Sequence, residues 1–277
     1  MDALLITDVL AERNAHETTA AAVVRHFAAA GIGRDELRGE HLEPLYAALS
    51  RSVNTPLGLD LQAPRLPSAD PPANDTVWGV LVETRRHPAL ERVVSEFSER
   101  LGIGIQLFHG RDNARFIRAT GIARLVDQGR VTLTLMEEPV SSLRHYNALL
   151  LSMAFWRAVR GRNRILVLQT DCVLNPGSRF RLEDFLQFDY IGSRWERRRP
   201  TGIIADGGNG GLSLRDWSLS VQCLERFSPG LWPGGEDGYF AFHIDLLGGR
   251  VGKPDECQRF SVENAGLEDS FGGHKVP

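Results

Sequence analysis

The chain has 277 residues, with Lys+Arg 32 against Asp+Glu 35, a net charge of −3 and 42% hydrophobic residues. That balance excludes disorder along the whole length and gives no bulk attraction for nucleic acid or an anionic membrane, while leaving a local basic patch open. Three widely spaced cysteines, Cys172, Cys223 and Cys257, form no CxxC pair, so neither a disulfide framework nor a zinc knuckle is implied and a cytoplasmic setting is expected.

Residues 1–61 are rich in Ala and Leu at helical spacing, with Ala20, Val23, Val24 and Phe27 on one face and Leu42, Leu45 and Leu49 on another. They predict an N-terminal helical appendage of two or three helices, which could carry a homodimer contact. Residues 62–76 hold four prolines and little to bury, the pattern of a linker. From 77 to 277 apolar strands alternate with helices: strands at 77–82, 103–108, 131–135 and 165–168, a helix over 88–101 and a long helix over 142–159. No stretch nears the ~20 apolar residues of a membrane span. Short buried strands separated by helices predict an α/β fold with a mostly parallel sheet covered on both faces.

Ligands of such sheets sit beyond the carboxyl ends of the strands. Those positions hold Glu83-Thr84-Arg85-Arg86, His109-Gly110-Arg111-Asp112 and Gln169-Thr170-Asp171. Asp171 reads either as a ligand or as a turn former ahead of Asn175-Pro176-Gly177. Fifteen of the 28 glycines lie beyond residue 200. They gather in Gly207-Gly208-Asn209-Gly210-Gly211 and Pro233-Gly234-Gly235-Glu236-Asp237-Gly238, which read as hairpin turns or as loops that let backbone approach a ligand. The side chains of adjacent Glu236 and Asp237 diverge on regular structure, so one can face a substrate while the other anchors the loop.

The order Tyr146-Asn147-Ala148-Leu149-Leu150, a strand ending in Asp171, Gly208 to Leu214, Gly234 to Asp237 and a late His274 resembles the GT-A glycosyltransferases, particularly the β-1,4-galactosyltransferase type. The segments QTD (169–171), FDYIGSRW (188–195), GNGGLSLR (208–215), FSVE (260–263) and GHK (273–275) resemble more closely still a broad GT-A-like family of unknown function. The resemblance runs from about residue 77 to the C-terminus and leaves 1–75 outside.

The resemblance implies a GT-A-like Rossmann-type domain that moves a sugar from a nucleotide-sugar donor, most simply a UDP-sugar, to a hydroxyl acceptor. It implies donor contacts at Thr84, Arg85, Tyr146, Asn147, Gln169 and Thr170. His109 is grouped with them by its strand-end position, although, like His145 and His243, it reads most simply as a structural histidine. Mn²⁺ or Mg²⁺ on the diphosphate is implied, held by Asp171 and His274, with Gln169 standing where the family has a first acid. Acceptor contacts fall to Gly208, Asn209, Gly210, Gly211, Gly235 and Trp195, with Asp237 as general base of an inverting transfer and Glu236 beside it binding acceptor hydroxyls. The alternatives are a noncatalytic nucleotide-sugar or glycan-binding module, suggested by Gln169, and a sugar nucleotidyltransferase.

Overall fold

In the computed structural model, residues 17–53, 65–66, 76–195, 206–267 and 269–276 are described. Apart from residues 65, 66 and 76, the proline-rich segment lies outside them. Two helices, α1 (Thr19–Ala29) and α2 (Gly39–Val53), precede the sheet. Their apolar stripes, including Val23, Phe27, Leu42, Leu45 and Leu49, enter the same hydrophobic cluster as one face of the sheet.

The apolar runs read from the sequence form the parallel half of a six-stranded sheet. β1 (Trp78–Glu83), β2 (Gly104–His109), β3 (Val131–Leu135) and β4 (Arg164–Leu168) lie in the order β3-β2-β1-β4. β5 (Cys172–Leu174) leaves the sheet, whereas β6 (Tyr190–Ser193) and β7 (Asn209–Asp216) extend it beyond β4, with β7 antiparallel to both neighbours. Val80, Ile165 and Val167 face one apolar cluster and Leu81, Leu166 and Leu168 the other. This alternation places core on both faces of the central strands. The result is a mixed α/β, Rossmann-like architecture, with ten α-helices among the described residues.

Between β1 and β2 runs α3 (Leu90–Leu101), ended by Gly102 in the left-handed conformation at φ 67, the usual device for terminating a helix. α4 (Arg111–Arg118) and α5 (Ile122–Asp127) connect β2 to β3. The single helix expected over 142–159 is two, α6 (Leu143–Leu150) and α7 (Met153–Ala158). Ser152 breaks it: its hydroxyl donates to Leu149 O at 2.7 Å and accepts from Phe155 N at 3.2 Å, closing one helix and capping the next.

After β7 come α8 (Trp217–Arg226), α9 (Glu236–Leu246) and α10 (Pro254–Phe260), then β8 (Ser261–Glu263) and β9 (Gly272–His274), which build a small second sheet in the order β5-β9-β8. α9 is buried along nearly its whole length. The N-terminal region grips it. Tyr46 Oη and His243 Nε2 are 2.6 Å apart, and Arg34 Nη1 donates to Asp245 O and Leu246 O at 3.0 and 2.7 Å. Burial drives the His243 pKa down to about 3, so the ring is neutral, as its apolar surroundings require.

Candidate functional site

The carboxyl ends of β1 and β4 open into a cavity of about 930 Å³. Its first wall is prebuilt by hydrogen bonds. Glu83 is buried at the end of β1, and its carboxylate accepts from Arg85 N, Nε and Nη2 at 2.8, 2.9 and 2.8 Å. The hydrogen-bonded Glu83 carboxylate raises the Arg85 pKa, and most of the Arg85 side chain stays exposed at 72%. Asn113, buried in the first turn of α4, donates to Glu83 O and Arg85 O at 2.7 and 3.0 Å and accepts from Gly110 N at 3.0 Å. Thr84 Oγ1 accepts from Val140 N at 3.1 Å and ties this wall to the segment entering α6. Arg86 also lines the cavity and donates through Nε to Asp112 O at 3.0 Å.

Tyr146 lines the opposite wall with its ring buried. Its hydroxyl has no partner of normal hydrogen-bond geometry, while Gln169 and Glu236 stand near enough to act on it electrostatically. Burial first, then the Glu236 charge, pushes its pKa up, so it is a phenol and a donor.

The floor is the loop after β4. Gln169, Thr170 and Asp171 line the cavity, and His274 lies behind them, 1% exposed. His274 Nε2 is 3.0 Å from Gln169 Oε1 and 3.2 Å from Asp171 Oδ1. Burial alone would raise the Asp171 pKa; the hydrogen bond and charge interaction with His274 outweigh it, and the net shift is downward. Asp171 is therefore an anion at neutral pH. Cys172 Sγ, a thiol kept protonated by burial, donates to Gly211 O at 3.0 Å and fastens this loop to β7.

Among the described residues no three His, Cys, Asp or Glu side chains converge as a metal group. The protein offers instead one carboxylate, one imidazole nitrogen and one amide oxygen. This donor set, with the Asp171 Oδ1 atom buried and lacking a well-aligned hydrogen bond, fits a hard or borderline divalent cation whose other ligands come from phosphate and water.

The glycines of β7 explain the second half of the site. Gly210 and Gly211 are consecutive, so they face opposite sides of the strand. A β-carbon on Gly211 would overlap the His274 ring, and one on Gly210 would meet Glu236, Arg215 and Asp237. Gly208, at φ 80, presses on Gly192 O and Ser193 O, each 2.6 Å from where a β-carbon would sit. Asn209 Oδ1 accepts from Gly211 N at 2.8 Å and sets this approach.

Several sequence expectations are corrected here. Glu236 does not face the cavity: it is 4% exposed, and both its oxygens meet the fully buried Arg215 guanidinium, Oε1 with Nη2 at 3.1 Å and Oε2 with Nη1. It anchors the loop. Asp237, in the first turn of α9, is also buried, with Oδ1 accepting from Gly238 N at 2.8 Å. Asn147 does not line the cavity. Its Oδ1 accepts from Glu236 N at 3.2 Å, joining α6 to α9. His109 does not line the cavity; its Nδ1 is 2.9 Å from Gly110 O and its pKa is lowered by burial.

Gly208, Gly210 and Gly211 are buried packing positions rather than an open acceptor face. Gly235 is the N-cap of α9, and its carbonyl accepts from Trp232 Nε1 at 3.2 Å. Trp195 packs partly buried against the main apolar cluster, and the arginine run after it lies outside the described residues. The cavity thus unites Thr84, Arg85, Tyr146, Gln169, Thr170 and Asp171. Arg215, Asn113 and Glu263 were not singled out from sequence, because their partners lie on other elements; Glu83 stood in the strand-end group, but its role as the carboxylate that holds Arg85 two residues on was not read.

No curated protein sequence matches the chain. Among solved structures it is similar to a chain described as a glucose-1-phosphate thymidylyltransferase from Bacillus anthracis, in complex with sucrose, at 12% identity and a TM-score of 0.39 over 61% of this chain and 83% of that one. A family model, protein of unknown function (DUF5672), matches residues 131–274, from β3 to the histidine of β9, and the chain belongs to that family.

Proposed function

We propose that the chain is a GT-A-type glycosyltransferase that moves a sugar from a nucleotide-sugar donor, in the first instance a UDP-sugar, to a hydroxyl acceptor. The observation that carries this reading is the cavity of about 930 Å³ at the ends of β1 and β4, where three separate stretches of chain contribute Thr84 and Arg85, Tyr146, and Gln169 to Asp171. A large cavity of mixed polar and apolar lining at carboxyl strand ends is where an α/β sheet takes a nucleotide-sized ligand.

In this reading Arg85 and Arg86 face the diphosphate, which guanidinium groups bind through paired hydrogen bonds. The Tyr146 hydroxyl donates to the donor. Asp171, His274 and the Gln169 amide oxygen would hold Mn²⁺ or Mg²⁺, which neutralises the charge gathering on the departing diphosphate. Asp237 accepts the acceptor hydroxyl proton while the acceptor oxygen bonds to the anomeric carbon and the bond to the diphosphate breaks, inverting that carbon. Glu236 and Arg215 fix the turn that carries Asp237.

The test compares Asp237→Ala and Asp171→Ala with the wild type in donor hydrolysis and transfer. Asp237→Ala is expected to lower kcat by ~10²- to 10⁴-fold with donor binding kept, and Asp171→Ala to remove the thermal stabilisation by UDP that depends on Mn²⁺. Full transfer by both folded variants overturns the mechanism. A second reading, a noncatalytic nucleotide-sugar or glycan-binding module, draws support from the Gln169 amide and from the burial of Asp237. Tight nucleotide binding with no turnover over a broad acceptor panel favours it, and release of pyrophosphate would mark a sugar nucleotidyltransferase instead.

A further inference from the structure

We infer that Glu263, steadied by Lys275, is the positioning residue that orients His274 toward a divalent cation; this rests on the metal-assisted reading above. β8 and β9 pair in parallel, and the register sets Glu263 directly beside His274. Glu263 Oε1 lies 3.7 Å from His274 Nδ1 and 3.2 Å from Lys275 Nζ. His274 Nδ1 is buried and has no hydrogen-bond partner, whereas Nε2 on the other side of the ring faces Gln169 and Asp171. One nitrogen therefore addresses the cavity floor and the other a carboxylate.

That is the arrangement of a ligating histidine. A carboxylate behind the ring holds N–H on the far nitrogen, fixes the ring plane and strengthens the near nitrogen as a ligand. Without a cation Nε2 faces two oxygens and donates between them; a cation held by Nε2 would displace that proton and leave the ring's N–H on Nδ1, facing Glu263 across a gap slightly longer than a hydrogen bond that a small tilt would close. Gly211 limits any larger movement, because the ring rests where its β-carbon would be. Lys275 adopts φ 52, a conformation uncommon outside glycine, and its backbone N–H donates to Asp171 O at 3.3 Å. The same residue thus ties Glu263 to the loop of the other ligand. The segments 260–263 and 273–275, which the proposed reaction otherwise uses only through His274, are accounted for together.

The experiment is Mn²⁺ binding to the full chain in saturating UDP, read from the electron paramagnetic resonance signal of free Mn²⁺. Glu263→Ala is expected to weaken Mn²⁺ binding by about 10- to 100-fold. Glu263→Gln, whose amide oxygen still accepts but carries no charge, falls between it and the wild type, and Lys275→Met gives a smaller loss. The last two keep side-chain volume and carry the test where Glu263→Ala does not fold. Unchanged Mn²⁺ affinity in all three, even with a lowered melting temperature, makes Glu263 merely structural and overturns the inference. If Asp171→Ala then still loses Mn²⁺, the metal-assisted reading survives that failure. A wild type that binds no Mn²⁺ with or without UDP overturns both.

Discussion

Two regions meet at the ligand end of the sheet, and they use the same residue types in opposite ways. At β1 and β4 the charged and polar groups of Arg85, Arg86, Tyr146 and Asp171 line an open cavity. At β7 and α9 the charged groups Arg215 and Glu236 are sealed in apolar surroundings, the guanidinium 5.2 Å from the Tyr190 ring and 5.4 Å from the Phe240 ring. A buried ion pair is weak evidence of net stabilisation, because desolvation offsets much of its attraction, but it strongly penalises loss of either partner. The comparison teaches that an acid beside a glycine loop can serve as an internal anchor, as Glu236 does for Arg215. The packed region backs the strand ends with apolar contacts, and the cavity wall is held by short polar staples such as Asn113.

The largest effect should come from removing what fills the packed side. A chain shortened to residues 77–277 loses Phe27, Leu42, Leu45 and Leu49, all at most 5% exposed. At about 1.5–3 kcal/mol for each buried apolar side chain, the loss is on the order of 10 kcal/mol, comparable with a typical total stability. Such a chain is expected to show no cooperative thermal transition by circular dichroism; a normal melt would establish that residues 17–53 are an independent appendage. Next, Arg215→Ala leaves the Glu236 carboxylate buried without its partner and should cost ~3–5 kcal/mol in urea unfolding. A cost below ~1 kcal/mol, the range of exposed pairs, would show that water reaches this region and would break the contrast.

The packed side also predicts an acid sensitivity. His243 has its pKa lowered to about 3 by burial, whereas an unfolded histidine titrates near 6.5. Below pH ~6.5 the unfolded chain takes up a proton that the folded chain refuses, so stability is full above that pH and declines toward pH 3. The slope from this one group is ~1.4 kcal/mol per pH unit. Urea titrations over this window should show it, and His243→Phe should flatten it; an unchanged slope in that variant would assign the sensitivity elsewhere.

Two smaller effects distinguish the sides further. Gly211→Ala pushes a methyl into the His274 ring and should cost ~1–3 kcal/mol as an overpacked position, measured by thermal melting. Tyr146→Phe should change the melting temperature little, because the hydroxyl has only the neighbouring Gln169 amide and no hydrogen bond of normal geometry to lose. Under the proposed reading it weakens donor binding by about 1 kcal/mol, one hydrogen bond. Calorimetry that finds lowered stability with unchanged donor affinity would move Tyr146 to the packed side.

Much of the sheet was legible because its strands are short, apolar and bounded, and buried parallel strands have no polar face to confuse the pattern. The strand-end rule likewise found the cavity residues after β1 and β4. What escaped shares a physical cause. Arg215 occupies an unremarkable place in GNGGLSLR, and only the fold brings it to Glu236, 21 residues away. The break at Ser152 was hidden by the surrounding apolar run 148–156, although serine is itself a capping signal. His109 had the right address but is buried outside the cavity lining, since the end of a strand fixes where a residue begins and not what its side chain packs against. Glycine carried the opposite difficulty: its abundance was visible, but its purpose depends on what presses against the missing β-carbon.

That missing β-carbon has a consequence for the route a substrate takes. Because Gly210 and Gly211 look to opposite sides of β7, the strand stands as a thin partition, with the imidazole on one side and the Glu236–Asp237 turn on the other. A molecule touching both cannot pass through the ladder that β7 forms with β4, which closes from Leu212 onward. The leading end is closed as well, since Asn209 pairs with Ser193 of β6 and Gly208 presses on Gly192 O and Ser193 O. A side chain added to this strand is therefore felt on one side alone, at the imidazole from position 211 and at the Arg215–Glu236 pair from position 210.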